Sequence, residues 1–386
     1  MKRKVLSACL AATMVFACAA TTVAADTVKI GVYEPASGDN GAGGKQETLG
    51  IQYANYVQPT VEIDGTEYDV ELVIVDNQSS TDKAVSAASE LVSNGVSVVL
   101  GSYGSGVSIA AADTFKAANT PAIGVTCTNP QVTDGNDYYF RICFLDPFQG
   151  SVMANYAKDN YDAKKAYVLT KLGDDYSTGL GFYFSKAFKD LGGEVIEENY
   201  PDGTSDFNAY VSKAISENVD VIFAPISIEA AQLVIDQAAA QGITCPLLAG
   251  DTWDSNVVLA AAEGTNIDLN VSTFYQSGVN EEFDKGIVEW MESDSTALAN
   301  NGGDTKVAAV SAMGYDAYFV ALEALKNAGS TDPQAVYEAL PTTTYTGITG
   351  EIAFNEIGDA ARDSAIVKKA NTETAEWEFV AEQKVK

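Results

Sequence analysis

The sequence predicts an α/β protein made of two similar units, each a parallel sheet flanked by helices. Three observations carry this expectation. Short apolar runs alternate with amphipathic stretches of roughly 10 to 15 residues, the pattern of βαβ units. The alternation runs to about residue 124 and restarts near residue 151. No Pro-, Gly- or Ser-rich linker and no short-period repeat separates the two runs, so the units join tightly, as lobes around a hinge with a ligand between them.

Each element follows from its residues. Residues 28–33 read as the first strand, 37–44 as a glycine-rich loop and 46–57 as a helix. A second strand, 70–75, is broken by Asp76-Asn77; residues 82–94 carry Val85, Ala88, Leu91 and Val92 at helical spacing. Strand 96–100 ends at Gly101, helix 105–118 follows, and 121–124 is a fourth strand. The second unit reads as helix 151–161, strand 166–170, helix 176–191, strand 194–200, helix 207–218, strand 220–224, helix 229–241 and strand 246–249. Residues 283–340 are helical again, and the chain ends in strand-like runs at 350–354, 365–367 and 377–380, with a turn at Gly358-Asp359.

The first 25 residues read as an export signal. Lys2, Arg3 and Lys4 form a basic start, an apolar stretch follows, and Val23 and Ala25 suit cleavage before Asp26. The alternative of a retained anchor is disfavoured by the Ala- and Thr-rich end of the span. Lipidation at Cys18 is a second alternative, giving a periplasmic or a cell-surface protein. Three cysteines remain after cleavage, Cys127, Cys143 and Cys245, so at least one thiol is free; Cys127 and Cys143 are close enough in sequence to pair, or all three are small buried residues.

Composition excludes several functions. The 386 residues include no histidine, which removes Ser-His-Asp and Cys-His nucleophiles and histidine metal ligands. With no CxxC pair either, neither a metal nor a cofactor is expected. The net charge of −30 becomes 20 − 53 = −33 once the three basic residues of the signal are lost, which argues against nucleic acid and against anionic membrane surfaces. Acidic neighbours such as Asp174-Asp175 point apart on most backbones, so a binding protein is expected rather than an enzyme. A sensor of the same fold is the other alternative.

Candidate binding residues lie at the carboxyl ends of strands, where open α/β sheets take ligands. Gly101-Ser102-Tyr103-Gly104-Ser105-Gly106 links a strand to a helix N-terminus, a place that suits a carboxylate or other small anion, or is an ordinary βα turn. Its glycines are out of order for a dinucleotide fingerprint. Thr126 and Thr128 sit two apart in the next turn and share a side if extended. In Gly250-Asp251-Thr252-Trp253-Asp254-Ser255, Asp254 looks like a helix N-cap, which leaves Asp251 to hold an ammonium group or to be a solvated loop acid. Tyr176 opens a helix of the second unit and could cover a ligand. A carboxylate-seeking turn in one unit and an ammonium-seeking acid in the other describe an α-amino acid.

These residues carry a family resemblance. The chain resembles the leucine/isoleucine/valine-binding group of periplasmic solute-binding proteins of ABC importers, from about Val28 to Val380. The markers are Val28-Lys29-Ile30-Gly31-Val32 with Ser37-Gly38, Val98-Val99-Leu100-Gly101-Ser102, Thr128-Asn129-Pro130, Tyr139-Phe140-Arg141, Asp146-Pro147-Phe148-Gln149-Gly150, Gly250-Asp251-Thr252-Trp253 and Gly314-Tyr315-Asp316-Ala317, with Gly347 to Phe354 and Gly358-Asp359. The resemblance implies a type I two-lobed clamshell with three hinge crossovers, near Asp146, Thr273 and Gly350. Lobe 1 would be residues 26–145 with 274–349, and lobe 2 residues 146–273 with 350–386. It implies that Ser105, Thr128 and the backbone at Tyr103 and Gly104 hold the ligand carboxylate, and that the Thr126 backbone and Asp251 hold its ammonium. Tyr176 would close over the ligand. A monomer that passes a small amino acid to a membrane permease is expected. Departures touch selectivity: the position of a disulfide beside the serine turn is Gly104, an early pocket aromatic is replaced by 41–44, and a second-lobe aromatic falls near Ile226. The family also includes binders of amides, urea and aromatic acids; Asp251 favours a ligand with an amine.

Overall fold

The computed structural model describes residues 26–384; the signal segment and Cys18 lie outside the described residues. The chain builds the first lobe from β1 (Asp26–Glu34), α1 (Gly41–Val57), β2 (Thr60–Ile63), β3 (Thr66–Asp76), α2 (Thr81–Ser93), β4 (Val98–Leu100), α3 (Ser105–Ala117), β5 (Ala122–Gly124) and β6 (Tyr139–Arg141). It crosses to the second lobe for α4 (Asp146–Tyr161), β7 (Lys165–Lys171), α5 (Asp175–Asp190), β8 (Glu194–Tyr200), α6 (Asn208–Ser216), β9 (Val221–Phe223), α7 (Ile228–Ala240), β10 (Leu247–Ala249), α8 (Asn256–Ala262) and β11 (Leu269–Thr273). It returns for α9 (Glu281–Ser293), α10 (Ser295–Asn300), α11 (Ala309–Ala328), α12 (Pro333–Ala339) and the hairpin β12 (Thr344–Gly347) and β13 (Gly350–Ala353). Phe354 and Asp359 still bridge to Ala360 and Arg141, so residues 354–360 run beside the first sheet. The last crossing follows at 361–363, and β14 (Ser364–Asn371) and β15 (Glu376–Lys384) finish the second sheet.

The sheets are ordered β2-β3-β1-β4-β5-β6 and β15-β14-β11-β10-β9-β7-β8. Their centres are parallel, as βαβ connections demand, and antiparallel strands occur only toward one edge of each. Central strands are buried on both faces. In the first lobe Val28, Ile30, Val32, Val98, Leu100 and Ile123 pack with Met313, Ala317 and Ala321 of α11. Tyr33, Val99 and Ala122 point the other way, onto Ala88 and Leu91 of α2 and Phe115 of α3. Truncating Leu91 would cost about 2–5 kcal/mol on this packing. The second lobe repeats the plan: Tyr167, Ile222 and Leu247 join Val234 and Ala238 of α7 on one face, and Val168, Phe223 and Leu248 join Met153 and Phe184 on the other.

The helix expected from residue 46 begins at Gly41, so the second half of the anticipated glycine loop is helical. Close approach explains these glycines. A Cβ on Gly43 would lie 2.5 Å from the Tyr103 ring, one on Gly44 2.1 Å from the Pro35 carbonyl oxygen, and one on Gly50 1.9 Å from that of Ser311. The tight contact between α1 and α11 sets the depth at which α1 delivers its side chains to the sheet ends. The helical region 283–340 divides into four helices, and β2, β6, β11 and β12 are strands beyond those read from sequence. Cys127, Cys143 and Cys245 are free thiols, the first two fully buried. No helix among the described residues is long and apolar enough to cross a membrane.

Candidate ligand-binding cleft

Turns at the carboxyl ends of β1, β4 and β5 face turns from the second lobe, and the lobes touch at several points. Asn129 Nδ2 donates to the Asp175 carbonyl at 2.7 Å, and Lys171 bridges Asp39 at 2.6 Å and Asp202 at 2.7 Å. Gln46 donates to Asn256, which also donates to the Asn301 carbonyl. Tyr103 spans the cleft: its hydroxyl donates to the Thr252 carbonyl at 3.2 Å. This is the closed arrangement.

The β4 turn is fixed by its backbone. Gly101 has φ +121°, and a Cβ there would meet the Tyr33 carbonyl at 2.4 Å, so only glycine fits. The Tyr103 amide donates to Glu34 at 2.6 Å and the Gly104 amide to the Ser102 hydroxyl at 3.3 Å. Both amides expected to face a ligand therefore have partners inside the lobe. Ser105 begins α3, and its hydroxyl accepts the Asn129 amide at 3.2 Å. The next turn is clamped from below. Arg141, fully buried, pairs with Asp359 at 2.7 Å and donates to the carbonyls of Cys127 and Asn129 at 2.9 and 2.5 Å. That clamp presents Thr126 and Thr128. The Thr126 hydroxyl donates to Glu47 of α1; the Thr128 hydroxyl is buried without a partner.

In the second lobe Asp251 is buried, and its Oδ1 accepts from Gln149 Nε2 at 2.7 Å and from the Tyr176 hydroxyl at 3.1 Å. Burial pushes this carboxyl up to about 6, against the opposing pull of those two donors. Ile226 is fully buried and clusters with Tyr103 and Trp253, whose indole donates to the Ile226 carbonyl at 3.0 Å. The Tyr103 ring, lying on Gly43 beside Ile226, thus supplies an aromatic wall where the sequence offered only glycine. Asp254 does not cap α8: Ser255 does, accepting from the Val257 amide. Asp254 instead pairs with buried Lys368 at 2.9 Å and accepts from Thr273. Of the acidic neighbours, Asp174 caps α5 by accepting the Ser177 amide at 2.7 Å, a structural role.

The structure thus brings Tyr103, Thr126, Tyr176, Ile226 and Asp251 to one cleft, with Gly104, Ser105 and Thr128 in the turns that frame it. It adds residues the sequence reading passed over. Glu34 and Glu47 are fully buried and lie against each other; burial and then mutual repulsion hold Glu34 well above the carboxylate range. Asp146, at the start of α4, has neither oxygen hydrogen-bonded by geometry, and burial pushes it up to about 8 despite Thr128 beside it. Gln149 was visible in the motif that carried the resemblance. Among the described residues no group of three or more acids or cysteines could hold a metal.

Two parallel-sheet lobes with three crossings and a polar cleft between strand ends define the solute-binding clamshell class. The comparisons place it further. A family model described as periplasmic binding protein matches residues 27–373, and the chain belongs to that family. It is 30% identical over 337 residues to "Leu/Ile/Val-binding protein homolog 1" of Brucella abortus, covering 86% of this chain and 87% of the relative. A leucine-binding protein from Thermotoga maritima superposes with a TM-score of 0.81 at 33% identity, covering 93% of this chain and 99% of that one. A branched-chain amino-acid transporter substrate-binding protein from Streptococcus pneumoniae, solved with isoleucine, gives 0.79 at 26% identity, with 93% and 99% covered.

Proposed function

We propose that this protein is the exported solute-binding component of an ABC importer, closing on a small amino acid, branched-chain or related aliphatic, and presenting it to a membrane permease. The observation that carries the reading is Asp251: a buried carboxylate without a cation, held in place by Gln149 and Tyr176 and facing the lobe-1 turns. A ligand ammonium would satisfy it, while Ser105, Thr128 and the α3 N-terminus offer donors to the carboxylate. Tyr103 and Ile226 would bound the side chain. Ligand contacts to both lobes favour the closed state, with bending at the three crossings. The working unit is a monomer, and residues 1–25 direct export.

The test is a calorimetric titration of protein stripped of carried-over ligand by unfolding and refolding, against a panel of amino acids, amides and aromatic acids. Saturable binding of an aliphatic amino acid is expected. Binding of an amine-free acid or amide with no amino acid bound would overturn the reading.

A further inference from the structure

We propose that Glu47 is a second carboxylate for the ligand ammonium, set on the first lobe opposite Asp251 on the second, so that the cation is held between lobes. This rests on the amino-acid reading above. Glu47 is fully buried; one carboxylate oxygen accepts the Thr126 hydroxyl, and Oε1 has no partner. One helical turn earlier Gly43 lies under the Tyr103 ring, and the Tyr103 hydroxyl reaches the carbonyl of Thr252, the residue after Asp251. Glu47, Tyr103 and Asp251 therefore form a buried path straight across the cleft.

The charges around this path leave room for a cation. The buried Arg141 and Lys368 are committed to Asp359 and Asp254. Glu34, beside Glu47, spends one oxygen on the Tyr103 amide and is held well above the carboxylate range by its burial and then by the charge of Glu47. Glu47 is raised to about 7 by its burial and then by the charge of Asp251, so a ligand ammonium beside it would favour its charged form. Gln149 Oε1 and Glu47 Oε1 are both orphaned acceptors. An ammonium brings three donors, matches such acceptors, and removes the repulsion that opposes closure. An isosteric ligand without the amine does neither.

Glu47→Gln in the full chain tests this, because glutamine keeps an oxygen for Thr126 and drops the charge. The probes are L-leucine and L-alanine, each paired with its deaminated isostere, 4-methylpentanoate and propanoate. Glu47→Gln is expected to weaken the amino acid ~10- to 100-fold while changing the isostere less than ~threefold. If Glu47→Gln fails to fold, Glu47→Asp, which retains the charge on a shorter arm, is expected to show the same selectivity with a smaller loss. Equal losses for amino acid and isostere, or no loss at all, would overturn the proposal alone. Failure of the unmutated protein to bind either amino acid would overturn the functional reading, and this proposal with it.

Discussion

Buried charge is handled in two ways in this molecule. Beside the crossings Arg141 meets Asp359 and Lys368 meets Asp254, each pair closed and ringed by further hydrogen bonds. In the cleft Glu34, Glu47, Asp146 and Asp251 are as deeply buried, and none makes an ion pair among the described residues. Burying a carboxylate costs several kcal/mol unless a partner or a proton compensates it. The paired set therefore builds scaffold, fixing the Thr126–Asn129 turn and the end of β11. The unpaired set is stable only as neutral acids or with a cation from outside, which is a description of a binding site. On the proposed reading one fold uses the same residue types for structure and for recognition, and the difference lies in whether the chain supplies the counter-charge.

Breaking the paired set should have the largest effect. Arg141→Met strands Asp359 and two carbonyls, and a loss of ~3–5 kcal/mol in urea unfolding is expected. The unpaired set should behave oppositely. Asp251→Ala should weaken an amino acid by ~2–5 kcal/mol in calorimetry yet leave ligand-free stability equal or higher, since an uncompensated acid is gone. Unchanged affinity would remove the ammonium assignment.

Titration sharpens the same contrast. Asp251 and Asp146 are raised from 3.8 to about 6 and about 8, so between pH 4 and 8 the folded state holds protons the unfolded chain has released. Stability of the ligand-free protein should then fall as pH rises through that window, by up to ~1.4 kcal/mol per pH unit for each such proton. Amino-acid affinity should run the other way, weakening as pH falls through about 6, where Asp251 takes up its proton. Melts and titrations across pH 5 to 8 measure both. Smaller still, Tyr103→Val removes the cross-cleft bond to Thr252 and opens space beside Ile226. It should cost ~1 kcal/mol for alanine and less for leucine. Lys171→Ala loosens the partly exposed bridge to Asp39 and should weaken binding by less than ~1 kcal/mol.

Much of this was legible in the sequence because parallel strands buried on both faces are continuous apolar runs. The start of α1 was not: glycine disfavours helix locally, and the packing of Gly43 on Tyr103 and Gly44 on Pro35, which overrides that preference, is tertiary. The three-residue β6 ends in an arginine whose partner, Asp359, lies 218 residues on. Asp251 was legible because it follows a strand and opens a turn. Glu47 was not, because an acid in a helix of so acidic a chain reads as solvated surface; only its place one turn after Gly43 marked it. Asp254 had the letters of a cap, and Lys368, 114 residues away, gave it another role.

The most direct test is a crystal structure of the protein with the ligand that survives purification, or with one added after stripping. The account predicts an amine nitrogen within hydrogen-bonding distance of the Asp251 carboxylate, between the two lobes. A ligand without an amine in that cleft, or one that turns its carboxylate toward Asp251, would contradict it.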